Sequence, residues 1–177
     1  IGLLSPEKDV DGITPANMAK IFMQEADGFA PCTAEAAVAL LKQSGISPAG
    51  KRAVVIGRSL VVGKPLSMLL LKENCTVTVC HSKSRDLPEI CREADILAVA
   101  AGKAGLADER FVSPGTIVLD VGIHVDEDGN LCGDVAAERL SELDGMLTPV
   151  PGGVGSVTTF ILAEHVTRAA EYFENRR

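Results

Sequence analysis

Ala53-Val54-Val55-Ile56, followed by Gly57-Arg58-Ser59-Leu60-Val61-Val62-Gly63-Lys64-Pro65, decides the fold. The first four residues form an apolar run without polar alternation, which predicts a strand covered on both faces. The next segment is a turn bracketed by two glycines. Pro65 through Lys72 then predicts a helix, with proline favoured in its first turn.

The same alternation continues downstream. Thr76-Val77-Thr78-Val79-Cys80 predicts a second strand and Leu87 through Glu93 a short helix. Ile96-Leu97-Ala98-Val99-Ala100 predicts a third strand, Thr116-Ile117-Val118-Leu119-Asp120 a fourth, and Met146-Leu147-Thr148 an edge strand. Strands alternating with helices predict an α/β fold, a doubly wound parallel sheet of the Rossmann-like kind. Upstream, a helix runs from Thr33 to about Ser44, with Gly45 able to end it. Ser5 through Gly12 reads as a polar turn or linker. A final helix runs from about Thr158 to Glu174, with Ile161, Leu162, His165, Val166 and Ala169 on one face.

The chain has 177 residues, 46% of them hydrophobic, and a formal net charge of −7. That length and composition suit a globular domain with a good core. No apolar run reaches the roughly 20 residues that span a bilayer. Ile1-Gly2-Leu3-Leu4 lacks the basic and long apolar regions of a signal peptide, and the expectation is a cytoplasmic protein without membrane contact. The negative balance disfavours nucleic acid as a partner. It also repels an anionic cofactor, so local groups must hold one. The five Cys form no C-x-x-C pair and read as buried reduced thiols, and three scattered His imply no metal site.

A glycine-bearing turn between strand and helix brings backbone N–H groups and the helix dipole to a pyrophosphate. The turn at Gly57 is neither G-x-G-x-x-G nor a Walker A loop, since five residues separate the glycines and Pro65 follows Lys64. A plain connection remains the alternative. The second strand ends in His81-Ser82-Lys83-Ser84-Arg85, with no acid. An acidic residue at that corner grips the ribose of NAD, and its absence beside basic and hydroxyl groups favours the 2′-phosphate of NADP. Arg58 can reach the same phosphate. The alternative is that Lys83 and Arg85 are simply solvated.

Lys8-Asp9-Val10-Asp11-Gly12, Pro31-Cys32-Thr33, Gly57-Arg58-Ser59, Val62-Gly63-Lys64-Pro65, Cys80-His81-Ser82, Asp120-Val121-Gly122-Ile123, Gly133-Asp134-Val135 and Thr148-Pro149-Val150-Pro151-Gly152-Gly153-Val154-Gly155 occur in that order. Together they resemble the bifunctional methylenetetrahydrofolate dehydrogenase/methenyltetrahydrofolate cyclohydrolase (FolD) family over nearly the whole chain. The resemblance implies NADP-dependent oxidation of 5,10-methylenetetrahydrofolate and hydrolysis of the methenyl product to 10-formyltetrahydrofolate. It implies cofactor contacts from Gly57, Arg58, Ser59, Gly63, His81, Ser82, Ile123 and Thr158. It implies folate contacts from Asp11, Pro151, Gly152 and Gly153, and a homodimer. Asp11 is otherwise a turn residue before Gly12, and Asp120 and Asp134 read as structural.

The resemblance divides the chain into the end of a catalytic domain with a connecting helix (1–46), the dinucleotide-binding domain (47–147), and a glycine loop with a return helix (148–177). Two positions depart from the family pattern: Ser156-Val157-Thr158 stands where Pro-Met-Thr is common, and His124 where Asn is frequent. The family's catalytic Tyr-x-x-x-Lys pair has no counterpart, because Arg176 is the fourth residue after Tyr172. No catalytic residue is therefore assigned in this chain. The expectation is the C-terminal part of a longer enzyme, inactive toward folate when alone. The rival is a stand-alone nucleotide-binding module without catalysis. A different Rossmann dehydrogenase lacks any evident His–Asp or Lys–Asp pairing.

Overall fold

The computed structural model describes residues 3–142 and 144–175. Arg176 lies outside the described residues, as do Ile1 and Gly2. Helices α1 (Pro15–Phe22) and α2 (Cys32–Gln43) precede strand β1 (Arg52–Ile56). Then follow α3 (Gly63–Lys72), β2 (Thr76–Cys80), α4 (Leu87–Arg92), β3 (Ile96–Val99) and β4 (Ile117–Asp120). A two-stranded hairpin, β5 (His124–Val125) and β6 (Leu131–Cys132), leads to β7 (Met146–Leu147) and the long α5 (Val154–Glu174).

Five strands form one parallel sheet in the order β2-β1-β3-β4-β7. The chain leaves β1 for β2 on one side and then crosses to β3 on the other. The sheet therefore has a switch point between β1 and β3, where connections diverge and a crevice opens at the strand C-termini.

Side chains alternate between two cores, as a strand's period of two requires. Ala53, Val55, Ile96, Ala98 and Leu119 pack on one face against α2, α3 and α5. Val54, Ile56, Leu97, Val99 and Val118 pack on the other with Cys91, Phe111 and Leu140. The uninterrupted apolar runs of β1 and β3 are the consequence of that double covering.

Four expectations need adjustment. β2 is not covered on both faces: it is an edge strand, and of its residues only Cys80 is buried. Helix α1 is absent from the sequence reading, although its start carries ordinary signals. Thr14 Oγ1 accepts the Asn17 N–H at 3.4 Å and Pro15 opens the first turn. Helix α5 begins at Val154 rather than Thr158. Along it Ile161, His165 and Ala169 are buried, whereas Leu162 and Val166 are exposed. The buried row follows i, i+4, i+8 because one narrow stripe meets α2. Lastly, the hairpin β5–β6 is unforeseen. Its turn is closed by Asp126, whose carboxylate accepts the Asp128 and Asn130 N–H groups.

No helix among the described residues is long and apolar enough to cross a membrane. All five cysteines are free, and all but Cys132 are buried. Burial pushes the Cys32 and Cys91 thiols up to about 12, with the Asp11 carboxylate adding at Cys32 and Cys80 at Cys91.

Leu97 is fully buried between β1 and β4. Its replacement by Ala is expected to cost about 2–5 kcal/mol of unfolding free energy, read from denaturant midpoints.

Candidate functional site

The crevice at the switch point is a cleft of about 490 Å³. Gly57, Arg58 and Ser59 line it from the end of β1, and His81 and Ser82 from the end of β2. The two corners singled out in the sequence are thus brought to one cavity.

Backbone contacts explain the two glycines. The Gly57 N–H donates to Cys80 O at 2.8 Å, tying the first turn to the second strand. Gly57 has φ +135°, and a Cβ there would sit 2.2 Å from Ala100 O. A Cβ on Gly63 would sit 2.2 Å from Gly57 O. Only glycine permits this approach, which places the N-terminus of α3 against the turn.

Helix α3 has no side-chain cap at its N-cap residue, Val62. Ser59 serves instead: its Oγ accepts the Val62 and Gly63 N–H groups at 3.1 and 3.3 Å. With its oxygen engaged, Ser59 keeps its own O–H to donate. In the second corner, Ser84 Oγ accepts the His81 N–H at 3.0 Å, and His81 Nδ1 accepts the Lys83 N–H at 3.1 Å. Nδ1 being an acceptor, the His81 proton sits on Nε2. Arg58, Ser59 and Ser82 are exposed. The corner is a compact turn with donor groups facing the cleft.

The remaining assigned residues lie elsewhere. Ile123 is 65% exposed and does not line this cleft. Thr158 is outside it too, and its Oγ1 donates to Val154 O at 3.0 Å within α5. Asp11 is exposed and accepts the Cys32 N–H at 3.3 Å, at the start of α2. Pro151 and Gly152 are exposed and Gly153 is buried at the N-cap of α5, which carries no side-chain cap. Among the described residues no hydrogen bond joins Asp11 to 151–153.

Buried carboxylates support the loops. Asp9 accepts from Ile13 N, Thr14 N and Asn17 Nδ2 at 3.0, 2.7 and 2.9 Å. Burial opposes its ionisation, but these bonds together hold it below the usual carboxylate range. Asp120 accepts the Gly122, Asp134 and Val135 N–H groups. Burial pushes its carboxyl above that range despite the three bonds. Asp134 accepts the Ala101, Gly102 and Lys103 N–H groups. Both therefore serve the backbone, in line with the structural reading given them.

Sequence reasoning missed the third wall of the cleft, formed by Ala100, Ala101, Lys103 and Leu106 after β3. The signal was available: the strand beside β1 at a switch point must contribute its following loop. It also missed a buried knot. His165 is fully buried, and its Nδ1 donates to Val10 O at 2.8 Å while Nε2 donates to Glu35 Oε2 at 3.0 Å. Burial disfavours the charged ring, but the Glu35 carboxylate and Val10 carbonyl outweigh it and raise the His165 pKa.

The description "Tetrahydrofolate dehydrogenase/cyclohydrolase, NAD(P)-binding domain" matches residues 31–174. The chain belongs to this family. The bifunctional protein FolD of Clostridioides difficile is 51% identical over 98% of this chain. The chain spans 61% of that relative's length. Among solved structures, the FolD methylenetetrahydrofolate dehydrogenase/cyclohydrolase of Campylobacter jejuni superimposes with TM-score 0.92 at 42% identity. That match covers 98% of this chain and 60% of the other. The Trypanosoma brucei methylenetetrahydrofolate dehydrogenase-cyclohydrolase, complexed with NADP cofactor and inhibitor, superimposes with TM-score 0.87 at 37% identity. It covers 96% of this chain and 60% of its own.

The knot at His165 has a pH signature. Its folded pKa is raised, so the stabilisation is complete below the ordinary histidine value of about 6.5 and is lost as pH rises through the folded value. Glu35→Gln is expected to destabilise the chain by roughly 1.5–3 kcal/mol at pH 6 and by clearly less at pH 9. Denaturation of both proteins at the two pH values measures this. An equal loss at both would show that His165 carries no charge.

Proposed function

We propose that this chain is the NADP-binding domain, with part of the folate site, of an enzyme that oxidises 5,10-methylenetetrahydrofolate and hydrolyses the methenyl product to 10-formyltetrahydrofolate. The observation that carries the reading is the single cleft joining a glycine-built turn at the N-terminus of α3 to an acid-free second corner. Family membership and the NADP complex of the Trypanosoma brucei relative support it.

The cleft fits a phosphorylated dinucleotide. A side-chain-free approach at Gly57 and Gly63 leaves backbone for a pyrophosphate, and the start of α3, whose first N–H groups are held by Ser59, turns the dipole end that anions favour toward it. Ser59 donates its O–H to the same phosphates. Arg58 and Ser82, with His81 beside them, take the 2′-phosphate by charge-assisted hydrogen bonds. Ile123 and Thr158 belong to the nicotinamide side. When bound, the dinucleotide supplies the hydride acceptor.

Asp11 can accept two hydrogen bonds from an aminopyrimidinone edge, and the loop Pro151-Gly152-Gly153 brings backbone to the folate. The division into 1–46, 47–147 and 148–177 follows from these roles. The same reading makes the enzyme a homodimer of the cytoplasm, to be checked by sedimentation and by cell fractionation. The alternative, a binding module without chemistry, leaves Asp11 only the task of accepting the Cys32 N–H at the start of α2, with its carboxylate otherwise exposed.

Arg58→Ala is expected to weaken NADP binding by about 1.5–3 kcal/mol and NAD binding by much less. Calorimetric titration with each dinucleotide tests this. Equal losses would remove the 2′-phosphate from Arg58, and no binding of either by the unaltered chain would remove the dinucleotide reading.

A further inference from the structure

Lys103 lines the cleft and has no part in the roles above. The strand order β2-β1-β3 puts its loop on the wall opposite the Ser82 corner, with Arg58 between them.

The chain carries a net −7, yet no Asp or Glu lines this cleft among the described residues. Some cations elsewhere are paired, Lys42 with Glu73, Arg52 with Glu93, and Arg110 and Arg139 with Asp108, whereas others, such as Lys83 and Arg85, enter no ion pair among the described residues. Among the described residues Lys103 and Arg58 enter no ion pair. Two unpaired cations on a carboxylate-free wall make a local positive site that the global field does not supply.

The backbone beneath Lys103 is fixed with unusual care. Asp134 is fully buried. Its Oδ2 accepts Ala101 N and Gly102 N at 2.6 and 2.9 Å, and its Oδ1 accepts Lys103 N at 2.8 Å. His124 Nε2 donates to the same Oδ1 at 2.7 Å. The Asp134 N–H is itself held by Asp120 at 2.9 Å. Three consecutive N–H groups on one buried carboxyl group set a loop that has no secondary structure of its own. The root of Lys103 is therefore placed, while its four-carbon stem is free to reach into the cleft.

We propose that Lys103 is a second specificity-determining cation, whose ammonium binds the phosphate that distinguishes NADP from NAD, and that the Asp134–His124 clamp is its positioning device. The proposal rests on the dinucleotide reading of the cleft. Lys103 takes the 2′-phosphate from the β3 side, Arg58 from the floor and Ser82 from the β2 side. His124 acts through Asp134 and touches no cofactor.

The test is equilibrium titration of the whole chain and its variants with NADP and with NAD, at low and high salt. Lys103→Ala and Lys103→Gln are each expected to raise the Kd for NADP about tenfold, the loss of one charged hydrogen bond, and to leave NAD within about twofold. The salt dependence of NADP binding should flatten. Equal weakening for both dinucleotides, or for neither, overturns the proposal. His124→Phe should weaken NADP selectively and add little to Lys103→Ala in the double variant, while His124→Gln, which keeps a donor, restores most of the affinity. Fully additive losses, or no selectivity, overturn the clamp as a positioning device. If the unaltered chain binds neither dinucleotide, the underlying reading fails as well. If it binds NADP while the Lys103 variants match it, only this proposal fails.

Discussion

Two backbone approaches that leave no room for a side chain govern the working edge of this protein. Gly57 lies against the carbonyl of Ala100, and Gly63 against the carbonyl of Gly57. The first sets how β1 and β3 part at the switch point. The second presses the start of α3 onto the turn. Together they leave a cleft in which the strand end at Gly57 presents no side chain, beside Arg58 and Ser59. A methyl group at either position would push the helix or the strand end away and close the feature on which the cleft depends.

Around that cleft, irregular loops are held by buried carboxylates rather than by regular structure. Asp9 gathers the N-terminal segment, Asp120 the hairpin region, and Asp134 the loop after β3. Each has several N–H donors, which is what makes a buried charge tolerable. His165 plays the matching role from the cationic side, joining the Val10 carbonyl and the Glu35 carboxylate where α2 and α5 cross. Loops that must stay open to solvent on one side are thereby fixed from the other.

Electrostatics divide in the same way. The negative net charge keeps carboxylates abundant on the surface, yet the cleft wall carries Arg58 and Lys103 and no acid among the described residues. Recognition of an anion then depends on a few placed groups rather than on steering by the whole field. The chain spans about 60% of the length of the matched relatives.

Local patterning decided much of this protein by itself. Unbroken apolar runs at β1, β3 and β4, with glycine, proline and helical spacing between them, specify buried parallel strands and covering helices, because hydrophobic burial and backbone sterics act within a few residues. The two-glycine turn and the acid-free corner were legible for the same reason. Tertiary structure alone decided that β2 is an exposed edge, that Leu162 and Val166 stay outside the packed stripe of α5, that Lys103 shares a wall with Arg58, and that Asp134 meets His124 and His165 meets Glu35. Each of these depends on strand order and helix crossing, which bring together residues far apart in the chain and which no local spacing encodes.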